Sequence, residues 1–279
     1  MRNKSILKFA VVLVFSISLF SCKKNDSESA VSEIETTVDL SSKQATSDEL
    51  ADDVNDVMTS ALESVDLAGS RQTPGTINSL ACPEISVTPG AFPKTVTLNF
   101  GTTGCTMPGS STVRRGTMII LLSDSLRHAG TTAQVTFDNY YVNGYKKEGM
   151  IRWTNQSTPG VRKWKREAIN VIITSPAGAS WSHNGEKIFT QVEGVGTLNP
   201  MDDAFTITGN ATIVNAAGIS RTSVILTPVH KRRDCAHCDS GTIQYTGPNH
   251  NAVLDFGNGT CDNLATLTID GSIVRNITL

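Results

Sequence analysis

Cys235-Ala236-His237-Cys238 is the one local cluster in this 279-residue chain whose residue types could do chemistry. Two cysteines two residues apart can cycle between dithiol and disulfide, and together with His237 they make half of a zinc site. Three features oppose both readings. No second C-x-x-C or H-x-x-x-H exists to complete a zinc site. The flanking residues read as strand, not as the βα turn whose helix N-terminus activates a redox thiol. Cys238 also has a rival partner, because Cys238 and Cys261 are spaced like Cys82 and Cys105, 23 positions apart.

Other candidates are weaker. Asp255-Phe256-Gly257-Asn258-Gly259 with Asp262-Asn263 clusters oxygen ligands in a glycine loop, which suits calcium, but lacks the order of an EF-hand; a structural turn is the simpler reading. His128, His183, His230, His237 and His250 show no ligand spacing, and there is no G-x-S-x-G or Walker loop. Asp202-Asp203, Glu186 and Glu193 are candidate carboxylates for glycoside hydrolysis only if the fold brings a pair together. Two basic runs remain, His230-Lys231-Arg232-Arg233 and Arg162-Lys163-Trp164-Lys165-Arg166. In the second, Trp164 can stack on a sugar while the cations meet sulfate, uronate or phosphate; the alternative is a solvated turn with Trp164 packed.

The N-terminus supplies an address. Met1 to Lys8 carries Arg2, Lys4 and Lys8 and no acidic residue, and Phe9 to Phe20 is apolar except for Ser16 and Ser18. That run is too short to span a membrane as a helix and reads as a secretory signal over 1–21. Leu19-Phe20-Ser21-Cys22 resembles the lipobox of bacterial lipoproteins, which implies cleavage before Cys22 and acylation of that residue. Several acyl chains on one residue anchor a protein stably where one chain does not. Removing 1–21 takes the net charge from −2 to −5, concentrated in an acidic stretch over 22–80 of net −8, against +3 over 81–279. Neither value is the basic footprint of a nucleic-acid binder.

The elements that must position the candidates change character along the chain. Residues 22–45 are rich in Ser, Thr, Lys, Asp and Glu and read as a disordered tether. A helix is expected over 46–68. Ser47 would cap it, Asp48 and Glu49 would occupy its first turn, and Leu50, Val54, Met58, Leu62 and Val65 would form its apolar stripe. Over 80–279 the period becomes two. Val96, Leu98 and Phe100 alternate with Thr95, Thr97 and Asn99, and Val135/Phe137, Ile169/Val171/Ile173 and Phe205/Ile207/Ala211/Ile213 repeat the pattern. Turns are expected at Asn143-Gly144, Asn184-Gly185, Ala217-Gly218 and Asp270-Gly271. With no helical pattern between strands, the fold class is all-β: an antiparallel β-sandwich or a long curled β-meander, preceded by one short α-helix.

The cysteine spacing belongs to an internal repeat with units at 82–122 and 238–279. Leu98, Phe100, Gly101 and Cys105 align with Leu254, Phe256, Gly257 and Cys261, and Gly116 matches Gly271 with one residue of slippage. In an exported protein such equivalence reads as disulfides Cys82–Cys105 and Cys238–Cys261, each stabilising by ~3 kcal/mol in the chain-entropy model. Cys235 is then a spare, or competes with Cys238 for Cys261.

Leu254-Asp255-Phe256-Gly257-Asn258-Gly259-Thr260-Cys261-Asp262-Asn263, Leu98-Asn99-Phe100-Gly101 with Cys105, and Phe137-Asp138-Asn139-Tyr140-Tyr141-Val142-Asn143-Gly144 resemble segments of uncharacterised outer-membrane lipoproteins of Bacteroidetes. The resemblance implies an envelope location and an all-β fold, and brings no catalytic residue. The expected function is a non-enzymatic, lipid-anchored envelope module without cofactor, whose partners are the membrane and a glycan or envelope protein. Its alternatives are a carbohydrate-active enzyme or thiol oxidoreductase, and an adhesin or pilus subunit.

Overall fold

The computed structural model describes residues 26–68, 82–107, 109–197, 199–247 and 249–279, and the helix side chains over 35–62. The signal at 1–21 and Cys22 lie outside these. Helix α1 spans Asp26–Ala68. Among the described residues fourteen strands follow: β1 (Glu84–Val87), β2 (Lys94–Asn99), β3 (Cys105–Thr106), β4 (Val113–Leu122), β5 (Thr132–Val142), β6 (Tyr145–Asn155), β7 (Lys163–Thr174), β8 (Ser180–Glu193), β9 (Ala204–Asn215), β10 (Ser220–Arg232), β11 (Ser240–Thr246), β12 (Asn251–Asn258), β13 (Leu264–Ile269) and β14 (Ile273–Thr278). Apart from the two-residue β3, which pairs only with β4, each strand lies antiparallel beside its chain neighbour in one open sheet. This is the meander form of the expected all-β fold, with one helix before it among the described residues.

The helix is longer than its apolar stripe suggests, and the expected tether over 22–45 is corrected from Asp26 onward. Its buried positions include Thr37, Leu40, Gln44, Ser47, Ala51, Val54, Met58 and Ala61, an alternation of three- and four-residue steps that keeps one narrow seam facing a partner. In the first half of that seam three of four residues are polar, so composition hides the helix. Ser47 is not a cap. It sits inside the helix, donates to the Lys43 carbonyl at 2.7 Å and accepts a hydrogen bond from Trp181 Nε1 at 2.9 Å. Leu50, Val54, Met58 and Leu62 are buried as expected; the Val65 side chain lies outside the described residues.

The sheet bears on this one helix from strands far apart in the ladder. Arg114 of β4 reaches Asp53, and Arg221 of β10 reaches Thr37. The sixteen residues between those helix positions rise roughly 24 Å, and six strand spacings measure about 29 Å. The helix therefore runs across the strands, not along them. Bulges interrupt several of the strands. In β4, Gly116 (φ +85°) faces the Asn139 carbonyl, 2.0 Å from where a Cβ would stand, and Asn139 itself has φ 47°. The same arrangement recurs between Gly149 (φ +93°) in β6 and Asn170 (φ 49°) in β7. Each interrupts the register of its strand pair, as a bulge does.

Asn143-Gly144, Ala217-Gly218 and Asp270-Gly271 form turns between consecutive strands, with positive φ at Asn143, Gly144, Asp270 and Gly271. Asn184-Gly185 does not. It lies within β8, where the Asn184 side chain accepts a bond from the Asn170 backbone N–H at 2.7 Å, and Gly185 lets the β9 backbone come close. An asparagine–glycine pair marks a backbone departure, and here the departure is a close approach between strands, not a chain reversal.

Candidate functional site

The cysteine loops form one of the two expected bridges. Cys82–Cys105 is bonded, with Cα atoms 5.9 Å apart. In the second copy the bond is Cys235–Cys261, at 5.7 Å, and Cys238 keeps a free thiol, which corrects the Cys238–Cys261 assignment. Register accounts for the displacement of Cys238. Leu98 pairs with Ile85, whose counterpart in the second copy is Gly241, yet Leu254 pairs with Ile243. The strand preceding the loop is thus slid by two residues in one copy, and equal sequence spacing no longer means equal geometry. The repeat also ends sooner than the glycines imply: Gly116 lies inside β4, whereas Gly271 lies in the β13–β14 turn.

The loops themselves are equivalent turns. Asn99 Oδ1 accepts the Gly101 N–H and Asp255 Oδ1 accepts the Gly257 N–H, both at 2.9 Å, with both glycines at positive φ. Asp262 Oδ1 accepts from Leu264 N, and Thr260 donates to Asn258. The carboxylates noted as calcium ligands are therefore engaged in holding backbone turns, around a shallow hollow of about 190 Å³. Among the described residues no group of three His, Cys, Asp or Glu side chains is placed to hold a metal.

The expected ligand surface at Arg162, Lys163, Trp164, Lys165 and Arg166 does not exist as one patch. The run lies in and just before β7, and strand periodicity sends alternate side chains to opposite faces. Trp164 packs against the core and Arg166 is buried, while Lys165 on the other face bridges Glu167 and Glu186. Arg162 reaches Gln191. The second basic run is also engaged: His230 and Arg232 meet Asp239, Arg233 lies 3.9 Å from Asp56, and the Lys231 ammonium donates to the carbonyls of Cys235 and Ala236.

What sequence reading missed is an ionic belt between α1 and the sheet. Asp48, Asp52 and Asp53 of α1 meet buried cations. Arg114 grips Asp53 through Nε (3.0 Å) and Nη2, with a side-chain exposure of only 6 % against 15 % for Asp53. Arg166 takes Asp52 at 2.5 Å and Asp48 at 3.4 Å, its guanidinium lying over Trp153 and Phe189. Lys187 takes the other Asp48 oxygen at 2.7 Å. Burial alone would raise the Asp48 pKa, but Lys187, His183 and Arg166 outweigh it and bring it down to about 2. The signal available in the sequence was the spacing of Asp48, Asp52 and Asp53 beside a polar seam, which has meaning only once their partners are known.

Lys147 lies in the same belt and is 1 % exposed. It stands opposite Tyr140 in the β5–β6 ladder, its ammonium is 5.6 Å from the Phe137 ring, and Nζ has no hydrogen-bond partner among the described residues. Three carboxylates (Asp48, Asp52, Asp53) face three paired cations (Arg114, Arg166, Lys187), leaving Lys147 the surplus charge. Burial, reinforced by Arg166 and resisted by the aspartates, pulls its pKa down to about 7; burial also pulls His183 down to about 4, against the attraction of Asp48. Both folded-state values lie below the unfolded ones. The unfolded chain therefore binds more protons over about pH 4–6.5 for His183 and about 7–10.5 for Lys147, and stability rises with pH through both windows. Lys147→Met is expected to raise stability by about 1–3 kcal/mol at pH 7 and to flatten the upper window, measured by urea denaturation at pH 6.5, 8 and 9.5. An unchanged slope would remove Lys147 from this role.

No protein-family model matches the chain, and neither a curated protein nor a solved structure shows significant similarity to it. No helix among the described residues is long and apolar enough to cross a membrane.

Proposed function

We propose that this protein is a lipid-anchored module of the bacterial envelope that binds a protein or glycan partner without catalysing a reaction. The observation that carries the reading is the division of labour between the two faces of the sheet. One face is occupied by α1, through the ionic belt and the seam beneath it. Among the described residues the opposite face is uncovered over many strands, and it presents cross-strand rows such as Gln134–Arg152–Glu167–Glu186–Asn210. Arg152 and Glu167 form a bidentate pair on that face, at 2.8 and 2.9 Å. The same row ends on the exposed Leu121 and Val224, so this face mixes apolar and charged surface as interfaces do.

The anchor supports the same reading. Cys22 precedes the first residue of α1 by four positions, so a lipid on Cys22 would be joined to the sheet through a helix and not through a long flexible spacer. Metabolic labelling with a palmitate analogue in the native envelope is expected to mark the wild-type chain and not Cys22→Ser. Crosslinking in intact cells, followed by purification through the anchored protein, is expected to recover a partner that Arg152→Glu with Glu167→Arg loses. Label retained by Cys22→Ser would overturn the anchor. Turnover of a polysaccharide by the purified protein would overturn the non-enzymatic reading.

A further inference from the structure

We propose that β14 pairs antiparallel with β14 of a second copy of this chain across a two-fold axis, so that two open sheets become one. β14 is a free edge of the ladder: it has β13 on one side and no strand on the other among the described residues. Edge strands are ordinarily blunted by proline, lysine, inward charges, bulges or a covering helix, because their unpaired N–H and C=O groups accept another strand. Ile273-Val274-Arg275-Asn276-Ile277-Thr278 has no proline, lysine or acidic residue, and its register with β13 runs without a shift. The other edge is defended. β1 has four residues, carries Glu84 and follows Pro83, which has no N–H to offer. The two most exposed large apolar side chains among the described residues, Leu264 (58 %) and Val274 (57 %), lie beside the β14 edge. Both are on the face opposite the buried Ala265, Leu267 and Ile269.

The backbone phase selects the occupant. Leu279 N donates to the Asn263 carbonyl at 2.8 Å, and bonded pairs alternate along an antiparallel ladder. Ile273, Arg275 and Ile277 therefore turn their N–H and C=O groups toward β13, and those of Val274, Asn276 and Thr278 point away from it. Pairing centred on Asn276 sets Asn276 against the partner's Asn276 and Val274 against the partner's Thr278. Every outward group then meets an outward group of the other copy. Centring on Arg275 would set two guanidiniums directly opposite, which is repulsive. In the Asn276 register Arg275 stands opposite the partner's Ile277, and Ile273 opposite the partner's Leu279. Ile273, Ile277 and Leu279 already pack against the core of the C-terminal strands, so the apolar row continues across the axis. On the other face the partner's Val274 joins the row of Thr278 and Leu264. The contact also closes on itself, since the defended β1 edge gives dimers no second strand through which to add into a filament. One strand pair buries less than the ~1,200 Å² at which stable interfaces begin, so the dimer is weak and exchanges with monomer.

Sedimentation equilibrium of the purified full-length protein is expected to show a monomer–dimer equilibrium in the micromolar-to-millimolar range. Over the same range, amide hydrogen exchange read by NMR is expected to slow at Val274, Asn276 and Thr278, whereas Arg275 and Ile277 are protected in the monomer already. Asn276→Pro removes the N–H on the axis without touching a bond to β13, a position at which an edge strand tolerates proline. Val274→Lys puts a charge on the edge and leaves the backbone unchanged. Each is expected to raise the dissociation constant at least about tenfold with little change in the melting temperature of the monomer. A wild-type chain that stays monomeric at millimolar concentration, a dimer that Val274→Lys retains at full strength, or protection of the three outward amides that is independent of concentration would overturn the proposal.

Discussion

Arg114→Ala is expected to destabilise the fold by about 3–5 kcal/mol, because it leaves the Asp53 carboxylate largely buried without its counter-charge. The loss is asymmetric. Asp53→Ala abandons a guanidinium that is more buried still, whereas Arg114→Met with Asp53→Leu removes both charges and fills similar volume. That double replacement is expected to recover most of the lost stability, since a buried ion pair is often no better than apolar packing. Urea denaturation of the four proteins measures these differences. A loss below about 1 kcal/mol in Arg114→Ala would mean that water reaches the pair and that the belt is a surface feature. The expected pattern fits a contact that specifies where α1 lies, with the apolar half of the seam, from Leu50 to Leu62, supplying the attraction.

Gly149→Val is expected to damage the sheet severely. A Cβ at this position would stand 2.2 Å from the Asn170 carbonyl oxygen and 2.8 Å from the Val171 Cα, both backbone atoms that cannot swing aside. The residue also sits at φ +93°, where a β-branched side chain is strained in any surroundings. A loss of about 4 kcal/mol or more follows, enough to unfold many domains outright. Gly178→Val is the control: that glycine too has positive φ, but nothing lies within 4 Å of its Cβ position, so it reports strain alone. Thermal melting monitored by circular dichroism separates the two. Equal losses would show that the close approach between β6 and β7 is not what bends the sheet.

Both expectations depend on features that were only partly legible. The strands were readable because burial on one face imposes period two, and Val96, Leu98, Phe100, Ile173 and Ile213 are all buried as that pattern requires. Asn143-Gly144 and Asp270-Gly271 were readable because a two-residue reversal demands positive φ. Asn184-Gly185 misled for the same reason: positive φ also serves a bulge or close approach, and local sequence does not distinguish them. The first half of α1 was illegible because its buried seam carries Thr37, Gln44 and Ser47, whose partners Arg221, Ser223 and Trp181 lie well over a hundred residues away.

The sequence by itself determined the class of the fold, the duplicated loop, the Cys82–Cys105 staple and the reversals at Asn143-Gly144, Ala217-Gly218 and Asp270-Gly271. Each of these is written in local spacing or local φ preference. The tertiary structure alone decided which of Cys235 and Cys238 bonds to Cys261, because a two-residue slip of one ladder changes the distances without changing the spacing. It also decided that the acidic face of α1 is an interface and that Arg166 belongs to it and not to a surface patch. Charge complementarity between a helix and strands β4, β7 and β8 is a long-range property, fixed only when the sheet has folded against the helix.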